Sequence, residues 1–271
     1  MELFDTHFHF DGEESFTGFL SRCRADLEVA AKNFQNIPDK LLMLCAGGNY
    51  IGSMRAKQFA DTVPEVFFSC GVHPHDAAEY LADKADFSIF RGSEKLLAIG
   101  EIGLDYFYDY SDKSSQLAVL EEFLALALAW DLPAMLHLRD KDNCFDAYDD
   151  ALKMLSAFAA DGGRSVIHCY AGNAAYAEKF LALGCYFGVT GMFTFKAAQN
   201  IREAISVIPD DRLLIETDSP YLAPVPFRGR PNTPGMVALV AESLGCARNM
   251  TPEAAAEKFT ANGKRFYRIG E

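Results

Sequence analysis

Eight short apolar runs recur along the chain: ELFDTHFH (2–9), LLMLCAGG (41–48), VFFSCGVH (66–73), LLAIGEIGLD (96–105), PAMLHL (133–138), SVIHCY (165–170), CYFGVTG (185–191) and LLIETDSP (213–220). Their length and β-branched or aromatic content predict buried strands. The longer amphipathic stretches between them predict helices near 14–35, 50–62, 76–91, 114–130, 143–160, 173–183 and 197–207, with more helix after 235. Strand and helix alternating eight times predicts an α/β protein, a parallel TIM (β/α)8 barrel. An open doubly wound sheet would bring a glycine-rich phosphate loop after its first strand, whereas this first strand runs into HFHF. The 271 residues fit one barrel domain spanning 1–271. No Gly/Ser linker or low-complexity tract divides them, and the strongest proline-rich stretch, LAPVPFRGRPNTP at 222–234, comes late.

Polar residues at the strand ends change the picture from fold to chemistry. His7 and His9 are two apart on a strand, so the period of two puts both imidazoles on one face, within reach of one ion. An HxH pair by itself is as compatible with a polar strand end. Glu101, His137, His168 and Asp218, however, occupy equivalent places at the ends of later strands. In a barrel those ends converge on the face that carries the active site. One polar residue at a strand end is ordinary; six at corresponding positions predict a shared centre. Histidine with carboxylate suits magnesium, manganese or zinc, and the expected cofactors are two divalent ions. Glu101, from the middle of the barrel order, is the residue expected to bridge them.

Other residues fill in the rim. Arg139 lies two positions beyond His137, on the same face, where its guanidinium could clamp a phosphate. Lys196, Arg228 and Arg230 supply further positive charge on loops expected at that rim, with a solvated surface role as the alternative. Tyr106 and Phe193 could stack on a base or belong to the core. Asp105 could hydrogen-bond a ligand histidine. Trp130, the sole tryptophan, reads as packing.

The formal net charge of −13 argues against a broad surface for long nucleic acid, so an anionic substrate would have to be gripped locally. Seven cysteines without CxxC pairs, mostly within apolar runs, read as buried free thiols in a reducing compartment. No apolar stretch approaches the roughly 20 residues that span a bilayer, and the N-terminus shows no export signal. A cytoplasmic location with no membrane and no obligate protein partner is expected.

In order along the chain, DTHFH, GVHPH, GEIGLDY, HLRD, HCYAG and ETDSPYLAP with RGRPNTP resemble the motifs of the TatD family of metal-dependent deoxyribonucleases, over residues 3 to about 265. The resemblance implies that His7, His9 and Asp218 hold one ion and His137 and His168 the other, with Glu101 shared. It also implies phosphodiester hydrolysis of DNA by an activated water and places His73 near the substrate phosphate; the acidic charge then favours ends of single-stranded or short DNA. Asp218 and Glu101 are then the expected catalytic residues, Asp218 also as proton acceptor, and His73, Arg139 and Lys196 the substrate-binding ones. His75 reads as structural. HLRDKDN stands where many relatives have HSRDA, and HCYAG where many have HCFSG or HCFTG, differences that flank the ligands and bear on substrate. The alternative is hydrolysis of an ester or amide, such as a D-aminoacyl-tRNA ester.

Overall fold

In the computed structural model, which describes residues 1–270 apart from Asp109, the eight runs are eight strands. They are β1 (Glu2–Phe8), β2 (Lys40–Cys45), β3 (Val66–Cys70), β4 (Leu96–Asp105), β5 (Ala134–Arg139), β6 (Ser165–Ile167), β7 (Tyr186–Val189) and β8 (Leu213–Ile215). They pair in sequence order and all in parallel. Around them lie α1 (Phe16–Ala30), α2 (Tyr50–Thr62), α3 (Ala77–Ala82), α4 (Lys113–Trp130), α5 (Asp146–Ala160), α6 (Ala174–Ala182), α7 (Gln199–Ser206), α8 (Val237–Ala247) and α9 (Pro252–Phe266). Five of these helices start where a short polar side chain can take an orphaned N–H: Ser15, Asn49, Asp112, Asn173 and Thr251 each accept from the backbone three residues on. The fold is the expected TIM barrel.

The helix expected over 76–91 is broken. α3 stops at Ala82, and a separate 3-10 turn, Phe87–Phe90, begins where the Asp86 carboxylate accepts from Ser88 N. Local capping by a short acidic side chain competes here with continuation of the helix. The expectation of buried thiols holds for Cys23, Cys45, Cys70 and Cys185 but not throughout. Cys144, in the loop after β5, and Cys246, near the end of α8, are exposed, and Cys169 is half-buried. Among the described residues no helix is long and apolar enough to cross a membrane.

Two apolar layers hold the barrel together. Phe4, Leu42, Leu44, Leu97, Met135, Val166 and Leu214 fill its interior, capped from below by Phe266 and Tyr267 at the end of α9. A larger cluster, including Leu3, Phe8, Phe19, Phe59, Phe68 and Phe123, packs strands against helices. Alternation along a strand would put Phe4 and Phe8 on the same side, yet Phe8 joins the outer layer. The β1–β2 register shifts between Asp5 and Phe8, and the parity reverses there, turning His7 inward. A second shift, in β4 between Ile99 and Ile102, brackets Glu101. In β5 and β6 the parity runs unbroken from Met135 to His137 and from Val166 to His168.

The ring closes through a thin seam. Among the described residues β1 and β8 share no ladder, and a lone parallel bridge joins Phe8 and Ser219. Main-chain bonds from His9 N to Ser219 O (2.7 Å) and Asp218 N to His7 O (2.9 Å) complete it. Below them the buried Asp5 carboxylate accepts from Thr217 N (2.8 Å) and Thr217 Oγ1 (2.6 Å).

Candidate active site and metal centre

The six sequence-predicted ligands meet at the upper end of the barrel. His7 Nε2 and His9 Nε2 lie 3.1 Å apart, and the His7 and His168 rings stack at 3.6 Å. Glu101, 2% exposed, stands between two groups of imidazoles. Its Oε2 is 3.5 Å from His7 Nε2 and 3.4 Å from His9 Nε2. Its Oε1 is 2.8 Å from His137 Nδ1 and 3.7 Å from His168 Nε2. Asp218 Oδ1 faces His7, His9 and His168 at 3.7, 3.5 and 3.9 Å.

Electrostatics follow from that crowding. Burial opposes ionisation of Glu101, but His73 and hydrogen bonds with His137, His7 and His9 outweigh it and hold its carboxyl well below the usual range. Burial likewise works against a charge on His9, yet Asp218 and Glu101 lift it to about 10. For His7, burial dominates and lowers the pKa.

Supporting carboxylates fix the rings. Glu216, 1% exposed, accepts from His168 Nδ1 at 2.8 Å and from Cys169 N at 2.6 Å. Asp105 Oδ2 lies 2.8 Å from His75 Nε2 and 3.3 Å from His137 Nε2, while its Oδ1 accepts from Phe107 N and Tyr108 N. These contacts leave Nε2 of His168 and Nδ1 of His137 directed toward Glu101. Asp105 thus holds a candidate ligand, and His75 is tied to it. Two glycines make the arrangement possible. Gly103, with φ +146°, passes so close to β5 that a Cβ would sit 2.0 Å from His137 O. A Cβ on Gly188 would meet Glu216 Oε1 at 2.3 Å.

The donor set fits divalent ions. Among the described residues the ion-pair partners of Glu101 and Asp218 are histidines, not lysine or arginine. His7, His9 and Asp218 offer atoms within ligand spacing of one another; so do His7, Glu101 and His168, and so do His73, Glu101 and His137. The last group was not anticipated. His73 Nε2 is 3.5 Å from Glu101 Oε1, within the spacing of a shared ligand group.

Other residues depart further from the sequence reading. Tyr106 and Phe193 are buried, 7% and 6% exposed, with the Tyr106 hydroxyl donating to Asp150, so neither is a stacking platform. Among the described residues the exposed aromatics are Phe107, Tyr108 and Tyr110 after β4, and Tyr221, whose ring lies 6.3 Å from His9. Tyr108 and Tyr110 flank His75. Arg139 is exposed, and its guanidinium lies over the Phe107 and Tyr108 rings at 4.3 and 4.8 Å. Lys196 is exposed after the 3-10 turn Gly191–Thr194 that follows β7. Arg228 and Arg230 are exposed too, over Phe195 and Phe227. Trp130 is half-buried against the outer core.

Comparison with known proteins decides what this centre belongs to. The family model described as "TatD related DNase" matches residues 4–268. The chain belongs to the TatD family. It is 35% identical to the metal-dependent hydrolase YabD of Bacillus subtilis, over 98% of this chain and 99% of that one. It is 32% identical to a protein of Erwinia billingiae named 3′-5′ ssDNA/RNA exonuclease TatD, over 84% and 87% of the two chains. The crystal structure of YjjV, a TatD homologue from Escherichia coli, superposes with a TM-score of 0.80 at 28% identity, covering 98% of each chain. The protein is accordingly a TatD-family metal-dependent hydrolase, and the histidine and carboxylate cluster at the top of its barrel is the candidate metal centre.

Proposed function

We propose that the protein is a deoxyribonuclease that hydrolyses phosphodiester bonds from the ends of single-stranded or short DNA, with two divalent ions in the barrel mouth. The observation that carries this reading is the Glu101 carboxylate, whose two oxygens face separate imidazole groups. His7, His9 and Asp218 would hold one ion, His137 and His168 the other, and Glu101 both. Ions so held supply Lewis-acid polarisation of a phosphoryl oxygen and neutralise charge that develops on it.

The chain's own groups do the rest. Asp218, 15% exposed at the seam, accepts through its carboxylate the proton of the attacking water. Glu216 and Asp105 keep the His168 and His137 rings turned toward the centre. His73 orients a phosphate oxygen, and Arg139 and Lys196 contribute positive charge at the rim. Phe107, Tyr108, Tyr110 and Tyr221 offer exposed rings on which unpaired bases stack. A net charge of −13 favours such local grip over wrapping a long duplex.

End-labelled single-stranded DNA incubated with protein and magnesium or manganese should shorten progressively, and Glu101→Ala or Asp218→Ala should abolish the shortening while leaving the circular-dichroism spectrum unchanged. Full activity in both variants, or intact DNA alongside release of the amino acid from aminoacyl-tRNA, would overturn the proposal.

A further inference from the structure

At the opposite end of the barrel, four arginines line one cavity of about 250 Å³: Arg164, Arg212, Arg265 and Arg268, with Gly184, Tyr186 and Phe266. Arg164 and Arg212 immediately precede β6 and β8, and Tyr186 opens β7, so the cavity lies at the N-terminal strand ends, away from the metal centre. α9 and the turn after it supply the other two guanidinium groups. In a chain whose net charge is −13, this convergence of cations runs against the background.

Backbone oxygens hold the guanidinium groups of Arg164, Arg212 and Arg265 in place, and the Asp131 carboxylate holds that of Arg268. Arg164 donates to Phe266 O at 2.7 Å and Asp131 O at 3.2 Å. Arg212 donates through Nη1 to Gly184 O at 3.3 Å and lies over the Tyr186 ring at 4.9 Å. Arg265 donates through Nη2 to Asp211 O and Asn262 Oδ1. Carbonyl acceptors orient a guanidinium without cancelling its charge, and the fork carries five N–H groups. Among the described residues, Asp131, 77% exposed, is an acidic partner of two of these groups: its Oδ2 takes Arg268 Nη1 at 2.7 Å and its Oδ1 lies 3.9 Å from Arg164.

We propose that this cavity is a second ligand site, independent of hydrolysis, that binds a phosphate monoester or free phosphate dianion. Planar forks fixed in advance match phosphate oxygens in pairs, and ordering them costs little on binding. Tyr186, half-buried and backed by Phe266 at 4.5 Å between centroids, is the aromatic ring of the cavity that a nucleoside could meet. The Asp131 carboxylate competes with the ligand for Arg268, so removing its charge should strengthen binding.

Isothermal titration with inorganic phosphate and with deoxyadenosine 5′-monophosphate distinguishes the sources. The protein is first stripped of metal by chelation and dialysis, which removes the metal centre as a phosphate site. Binding should survive stripping, weaken about tenfold in Arg212→Gln and in Arg268→Gln, and tighten in Asp131→Asn. Tighter binding of the nucleotide than of phosphate would support a monoester ligand; equal binding would support the free dianion. No binding by the stripped protein, affinity unchanged in both arginine variants, or equal affinity for succinate would overturn the site. Asp131→Asn guards against a folding defect, because a merely structural role predicts no gain in affinity.

Discussion

His168 Nδ1 donates to Glu216 Oε1 across 2.8 Å, a buried bond that selects which ring nitrogen faces Glu101. Glu216→Gln should therefore lower metal affinity or kcat by about 10- to 100-fold while the protein stays folded. Metal content by plasma emission and steady-state kinetics check this; a variant that retains both would remove Glu216 from the supporting shell.

Metal removal should lower thermal stability as well as activity. An ion that binds only the folded chain stabilises it by about 2.7 kcal/mol at a hundredfold excess over Kd. Melting should shift upward as manganese or magnesium is titrated into stripped protein. In Glu101→Ala the shift should largely vanish.

Gly103→Ala should be costly although no side chain is lost. The new Cβ would stand 2.0 Å from His137 O, at a φ of +146°. A loss of about 3 kcal/mol or more, read by urea unfolding, is expected. Because β5 would be pushed aside at His137, residual folded protein should also lose metal.

The exposed rings should act on binding rather than chemistry. Tyr110→Ala and Tyr221→Ala, 67% and 62% exposed in the parent, should each raise KM for single-stranded DNA about tenfold with kcat little changed, since stacking contributes about 1–3 kcal/mol per base. An effect on kcat alone would place them elsewhere in the reaction.

Acid should loosen the base of the barrel. Glu2 bonds Lys264 and Lys40, each at 3.0 Å, and those bonds, the Lys264 one first, lower its pKa. A carboxylate depressed on folding stabilises above its unfolded value of 4.5 and loses that contribution as the pH falls through the folded value. Between about pH 7 and about pH 3 the melting temperature of Glu2→Gln should therefore fall less than that of the parent.

Much of this architecture is legible in the sequence because two periods suffice for it. Runs such as LLMLC and PAMLHL match their strands, and α2 begins and ends where 50–62 is expected. The six candidate ligands are legible because strand ends converge. What strand periodicity hides is the reversal of parity at His7 and the irregular register around Glu101, since a register shift is a property of two strands and leaves no mark in either alone. Asp5 and Glu216 escape for a related reason. Each begins a motif, DTHFH or ETDSP, but its partner, Thr217 or His168, is remote in sequence. The exposed ring after β4 is missed by one position: Tyr106 turns into the protein while Phe107 turns out.

The seam between β1 and β8 has a consequence for how the protein matures. Asp5 and Thr217, which tie it, are 212 residues apart in the chain, and His7 and Asp218 sit directly above them. A growing polypeptide thus carries His7 and His9 from the outset and Glu101 from its fourth strand, but lacks Asp218 until nearly the whole barrel has emerged. Such long-range closure is slow to pay back its loop entropy. With the ligand set proposed above, full coordinating capacity would appear only with the last strand, and a truncated chain would be disarmed as a hydrolase by its own topology.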